Sequence, residues 1–222
     1  MAYDSINDGS KYAEIIVIRH GETGWNVDGR LQGQLDVDLN ETGRLQAFLV
    51  AERLSKEPKI SAVYSSDLKR ASYTAQLIAK KCGVHQVNKD PKLRERHVGV
   101  LQGVIARETA ISHPEAHKAF VSLRRDQEIP GGGESLNQLY ERSTSALQRI
   151  ANKHQGERVV VVSHDVTIRA LHRKVSPQGK PIGKVINTSL NVFLVSDKGE
   201  WIVKTWGDVN HLLNNTAEFI LE

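Results

Sequence analysis

Apolar residues come in two kinds of run along this chain. "EIIVIR" (14–19) and "RVVVVS" (158–163) are unbroken and of strand length, the pattern of strands covered on both faces. "ISAVYSS" (60–66) reads as a third strand. "SLNVFLVS" (189–196) and "EWIVKTW" (200–206), parted by "DKG", read as a hairpin that places Trp201 and Trp206 on opposite faces. Between these runs the spacing turns helical. Leu45, Phe48 and Leu49 mark a helix over Glu41 to Ser55. Leu68, Ala71, Ala75, Ile78 and Ala79 mark another over Asp67 to Lys81. Pro114 opens a short helix to Leu123. "IPGGGES" (129–135) is a turn, and Ser135 with Gln138 forms a capping box. The helix after it, to about Lys153, carries Leu136, Leu139, Tyr140, Ser143, Leu147 and Ile150 on one face. A last helix runs from Val166 to Lys174.

Strands alternating with helices imply an α/β fold: a three-layer sandwich whose mainly parallel sheet has an antiparallel edge and helices on both faces. No repeat, low-complexity segment or long linker divides the chain, so a single domain is expected over 14–222, after a flexible tail of 1–13. The edge run 200–206 could pair between subunits as a homodimer.

Composition narrows the class. The 222 residues are 39% hydrophobic and 25% charged, which suits a globular protein. No apolar run approaches the roughly 20 residues of a membrane span, and the first residues have neither the apolar core of a secretory signal nor the arginines of a transit peptide. The single cysteine, Cys82, cannot form an intrachain disulfide and fits a reducing compartment, here the cytoplasm. Asn187 and Asn214 begin glycosylation patterns that carry no meaning without secretion. The net charge is +4 and the pI about 9.1, but Lys and Arg are dispersed and aromatics are only 5%. That balance points to anionic ligands rather than to nucleic acid.

The chemistry gathers at strand ends. One buried run ends in Arg19-His20 and another in His164. Parallel in one sheet, they would present both histidines at its carboxyl edge, where open α/β folds bind ligands. Arg70 falls in the first turn of the helix after strand 60–66, and "LRERHVG" (93–99) offers Glu95. Two arginines, two histidines and a carboxylate suit a phosphate. Arginine forks match its oxygens, a neutral imidazole can take the phosphoryl group, and a carboxylic acid can protonate the leaving alkoxide. Glu95 could instead form a salt bridge with Arg94 or Arg96.

"RHGETGWN", "SSDLKRASYTA", "ERHVGVLQG", "GGGES" and "VVVSH", in this order, resemble the histidine phosphatase superfamily in its phosphoglycerate mutase-like branch, over about residues 14 to 206. The resemblance implies that His20 is the nucleophile that becomes phosphohistidine. It further implies that Arg19 and Arg70 clamp the phosphate, that His164 contacts the phosphoryl group in the transition state, and that Glu95 is the proton donor. Asn26, Gln32 and Gly33 match the substrate pocket. No metal and no cofactor is implied, and the sequence offers no metal-ligand motif of its own. The implied partner is a small phosphorylated metabolite such as phosphoserine, a phosphoglycerate, a fructose bisphosphate, a sugar phosphate or a nucleotide-derived phosphate.

The departures separate the branches. Mutases carry a lysine where Ala106 stands and a tyrosine where Val98 stands, and their long insertion is missing, so hydrolysis is favoured. Arg124-Arg125 lies near a mutase arginine pair and reads either as a substrate contact or as a solvated helix end. The stretch 104–130 is expected to form the lid. Asp165 replaces the usual glycine after the second histidine and resembles the His-Asp pair of the acid phosphatase branch. It either shares the acid role or caps the following helix. The expected function is a metal-independent phosphatase acting on a small phosphomonoester. The alternatives are a phosphoglycerate mutase and a catalytically weak phospho-ligand sensor.

Overall fold

The computed structural model describes residues 12–178 and 183–213; the segment 1–11 and the pattern at Asn214 lie outside the described residues. The strands are β1 (Tyr12–Arg19), β2 (Ala62–Ser65), β3 (Val87–Lys89), β4 (Arg158–Ser163), β5 (Leu190–Ser196) and β6 (Trp201–Asp208). The helices are α1 (Gly24–Val27), α2 (Glu41–Ser55), α3 (Lys69–Lys81), α4 (Thr109–Ser112), α5 (Pro114–Phe120), α6 (Leu136–Lys153), α7 (Asp165–Val175) and α8 (Asn210–Leu213). One sheet has the order β3-β2-β4-β1-β5-β6. β1, β2, β3 and β4 run parallel, while β5 and β6 are antiparallel at the edge.

β1 explains why the apolar runs do not alternate. Ile15 and Val17 pack under α6 and α7, while Ile16 and Ile18 pack under α2 and α3. Both faces of the strand are therefore core. The helices close where sequence chemistry says they should. Asn40 caps α2 by accepting from the Gly43 N–H at 2.7 Å, and Ser135 with Gln138 forms the expected capping box on α6. A cap of this kind is worth about 1 kcal/mol. Among the described residues no helix is long and apolar enough to cross a membrane.

Three expectations are corrected, and one strand is added. β1 begins at Tyr12 with Ala13 buried, so residues 12 and 13 belong to the sheet and not to a tail. The buried stripe of α2 is Gly43, Ala47, Val50, Ala51 and Leu54, whereas Leu45 and Phe48 are exposed, with Lys81 over the Phe48 ring. Small residues face the sheet there because α2 also packs closely on α3. The short strand β3 occupies a stretch too polar to read as one. Trp201 and Trp206 share a face, and both rings meet Phe193, at 6.0 and 6.5 Å. A bulge is the reason. Val192 pairs with Thr205 and Phe193 with Val203, and the extra residue, Lys204, flips the alternation.

Candidate active site

The register of β1 on β4 builds the centre of the site. Arg19 pairs with Ser163, and the His20 N–H donates to the Ser163 carbonyl at 3.0 Å. The next residues, His20 and His164, therefore leave neighbouring strands side by side, their ring centres 5.1 Å apart. His20 Nδ1 lies 2.6 Å from the Gly21 carbonyl. A carbonyl only accepts, so Nδ1 carries the proton and Nε2 keeps its lone pair. Burial, then the charges of Arg70 and Arg19, push His20 well below the usual imidazole range; burial, Arg70 and His20 do the same to His164. Both rings are neutral at physiological pH.

Arg70 is buried and Arg19 half-buried, and each is anchored by part of its guanidinium. Arg70 follows β2, which lies beside β4, and sits in the first turn of α3. Its Nη1 and Nη2 donate to the carbonyls of Leu35 and Gly33 at 2.7 and 2.8 Å. Arg19 Nη1 donates to the Val185 carbonyl at 2.7 Å. The Nε of each arginine, and both ring nitrogens of His164, are buried without a protein partner. An unpaired buried polar group costs about 1–3 kcal/mol, and this set has the donors an oxyanion needs. Burial lowers Arg70 to about 10, so it stays charged at neutral pH.

Of the pocket residues expected from sequence, Gly33 touches Arg70 through its carbonyl, and Asn26 meets Asn187, which holds the His20 carbonyl. Gly33 has φ +53°, and a side chain there would overlap Gln102, whose Oε1 accepts from the Gln34 N–H at 2.7 Å. Glycine is required by both the turn and the approach. Gln32 is buried with Oε1 unpartnered. Asn26 belongs to a capping box on α1, and its Oδ1 accepts from the N–H and hydroxyl of Thr23, each at 3.1 Å.

Glu95 and Asp165 exchange one of the expected roles. The Glu95 carboxylate accepts from the N–H groups of Arg96 (2.8 Å), Val166 (3.2 Å) and Thr167 (3.3 Å) and so covers the start of α7. Asp165 makes no capping bond; its Oδ1 accepts from Arg169 Nε at 2.6 Å. The capping reading of Asp165 is therefore corrected, because an acid from another loop already holds the free N–H groups. The salt-bridge reading of Glu95 falls as well. Arg94 forks onto Asp67 at 2.7 and 2.6 Å, and Arg96 Nε donates to the Glu134 carbonyl at 2.9 Å. Burial, helped by Asp165 and opposed by the amide donors, raises Glu95 above the usual carboxylate range. Arg124, exposed, forks onto Asp126, as a solvated end does.

Sequence reading missed two supporting groups. The turn 185–188 holds Arg19 and His20 from the β5 side. Besides Val185, the Thr188 N–H donates to the Arg19 carbonyl at 2.9 Å and Asn187 Nδ2 to the His20 carbonyl at 2.8 Å. Thr188 has φ +59°, a conformation β-branched residues avoid. It lies two residues before β5, and nothing in the local pattern of apolar residues marks it. The second group is Arg142 with Glu134. They form a two-point ion pair at 2.6 and 2.8 Å, while Arg142 also donates to the carbonyls of Lys92, Arg94 and Glu95 at 2.8, 2.7 and 2.9 Å. This pair fastens the Glu95 loop to α6. Among the described residues no group of His, Cys, Asp and Glu could hold a metal ion.

Neutral histidines beside half-anchored arginines define a phosphoryl-transfer class of site. The chain belongs to the histidine phosphatase superfamily (branch 1), whose family model matches residues 15–209. It is 58% identical over 201 residues to phosphoglycerate mutase-like protein 4 of Arabidopsis thaliana, covering 90% of this chain and 87% of the relative. It is 52% identical over 203 residues to the metal-independent phosphoserine phosphatase of the same plant, covering 91% and 84%. Among solved structures it resembles a phosphoserine phosphatase mutant from Entamoeba histolytica in complex with phosphoserine. There the TM-score is 0.76 and the identity 25%, over 90% of this chain and 99% of that one.

Proposed function

We propose that the protein is a metal-independent phosphomonoesterase that works through a phosphohistidine on His20, with a small metabolite such as phosphoserine as substrate. The observation that carries the reading is the His20 ring: Nδ1 is tied to the Gly21 carbonyl, and Nε2 keeps a free lone pair beside His164. In the first step Nε2 bonds to phosphorus and the P–O ester bond breaks. Glu95, as the acid, protonates the departing alkoxide. The free Nε groups of Arg19 and Arg70 and an N–H of neutral His164 take the equatorial oxygens of the transferring group. In the second step Glu95, now a carboxylate, takes a proton from water as it attacks phosphorus, and the P–N bond breaks to free phosphate and His20. Asn26, Gln32 and Gly33 line the entrance, and the stretch 104–130 closes over it. Relatives named as phosphoserine phosphatases support this substrate class. The test is hydrolysis of an aryl phosphate and of phosphoserine in the presence of chelator, for the wild type beside His20→Ala. Activity that survives chelator and is lost in the variant supports the reading; equal activity in both proteins rejects it.

A further inference from the structure

Asp165 and Arg169 are polar groups that cap no helix and bond to no reacting atom in the two chemical steps. They lie on the first two turns of α7, directly after His164, and their side chains are 34% and 36% exposed. Glu95 caps the helix, so Asp165 is not needed for that purpose. A half-exposed pair four residues apart on a helix adds little stability. The pair nevertheless belongs to the site. Burial lowers the pKa of Arg19, and Asp165, ahead of Glu95, is the neighbour that most opposes this, while Arg169 acts in the same direction as burial.

The bond between them uses one atom of each. Asp165 Oδ1 accepts from Arg169 Nε at 2.6 Å, and among the described residues Asp165 Oδ2 and the two Nη groups of Arg169 have no partner. One free end is an acceptor with negative charge; the other is a planar two-nitrogen donor with positive charge. They are held together at the edge of a phosphate site. An α-amino acid group is the complement, with an ammonium for the carboxylate and a carboxylate for the guanidinium fork. A substrate with a phosphate and only a carboxylate would face Asp165 with nothing to offer it.

We infer that Asp165 and Arg169 form a zwitterion subsite that selects phosphorylated α-amino acids, with the substrate ammonium on Asp165 and its carboxylate on Arg169. The inference rests on the phosphatase reading above and gives that site its selectivity. It also explains a carboxylate beside a phosphate site. Arg169 offsets its charge before substrate arrives, and the substrate ammonium adds to that afterwards.

The test compares kcat/KM for four substrates. Phosphoserine carries both groups, phosphoglycolate lacks the amine and the carbon that bears it, phosphoethanolamine lacks the carboxylate, and p-nitrophenyl phosphate lacks both. The wild type is expected to favour phosphoserine over either truncated substrate by about tenfold or more, as charged hydrogen bonds do. Asp165→Asn should erase the advantage over phosphoglycolate and keep that over phosphoethanolamine; Arg169→Gln should do the reverse. Variants that lower all four substrates alike, or a wild type that treats the first three alike, would overturn the subsite. Calorimetric binding of phosphoserine and phosphoglycolate to His20→Ala gives the same comparison without turnover. If the wild type hydrolyses nothing, the phosphatase reading has failed. A binding preference for phosphoserine then still supports the subsite, and equal binding rejects it.

Discussion

His20 and His164 lie with ring centres 5.1 Å apart and planes tilted by 57°, although 143 positions of chain separate them (164 − 20 − 1). The sheet brings them together: β1 and β4 are parallel neighbours, and the ladder ends one residue before both rings. Two cationic imidazoles would repel each other at this distance. Two neutral ones leave one lone pair for attack and one N–H for a phosphoryl oxygen. The chemistry therefore requires the low pKa values that burial and the arginines impose.

The pH dependence follows with a definite sign. His20 must be neutral, and it gains a proton only well below the usual imidazole range. Glu95 must be protonated, and its raised pKa moves the loss of that proton upward. The kcat/KM profile for phosphoserine should be a bell whose acid limb reports His20 and whose alkaline limb reports Glu95. Bound phosphate adds negative charge near Glu95, so the alkaline limb of kcat should lie at higher pH than that of kcat/KM. A profile without an alkaline limb that Glu95→Gln could remove speaks against Glu95 as the acid.

Leaving-group chemistry separates the roles of the two acids. An alkoxide needs a proton to depart and a nitrophenolate does not. Glu95→Gln should lower kcat on phosphoserine by about 10²-fold or more. It should cost much less in the burst of nitrophenol from the aryl substrate. Asp165→Asn should lower kcat less than Glu95→Gln; the opposite order in steady-state kinetics would remove Glu95 from the mechanism.

Arg142 and Glu134 are positioning residues, because their hydrogen bonds reach the chemistry through the Glu95 loop. Arg142→Ala should reproduce the Glu95→Gln signature in weaker form, with phosphoserine turnover falling more than the aryl burst. Arg142→Lys should recover only part of it, since an ammonium cannot fork onto Glu134. A uniform loss on both substrates, tracking a lower melting temperature, would mean the pair serves stability alone.

Gly43 marks where α2 presses on the His20 loop. A methyl at Gly43 would overlap the backbone of Glu22, whereas one at Gly24 meets nothing within 4 Å. Gly43→Ala should cost about 1–3 kcal/mol in thermal unfolding and reduce activity per folded molecule. Gly24→Ala should stay within about 0.5 kcal/mol of the wild type. Equal melting curves for the two variants would contradict the packing described.

The residues that could be read from sequence were those whose place is fixed locally. His20 and His164 end apolar strands, and Arg70 opens a helix after another, so parallel pairing is enough to gather them. The missed groups depend on long-range fits. Nothing near Arg142 in sequence says that it will span three carbonyls of residues 92–95, and Asn187 looked like an idle glycosylation pattern. Of the two readings of Asp165, the capping one fails because the competing acid, Glu95, comes from a loop 70 positions away (165 − 95). The Trp206 error came from one bulged residue, Lys204, which no pattern of alternation announces.

The central claim is a covalent phosphohistidine on His20, and the most direct measurement is to trap it. The protein is mixed with radiolabelled phosphoserine or aryl phosphate in chelator, quenched in base within the first turnovers, and examined for protein-bound label. The expected result is an acid-labile, base-stable label on the wild type. The label should be absent from His20→Ala and should accumulate in Glu95→Gln with the aryl substrate, where formation outlasts hydrolysis. Turnover without such a label, or a label that persists in His20→Ala, would contradict the assignment of His20.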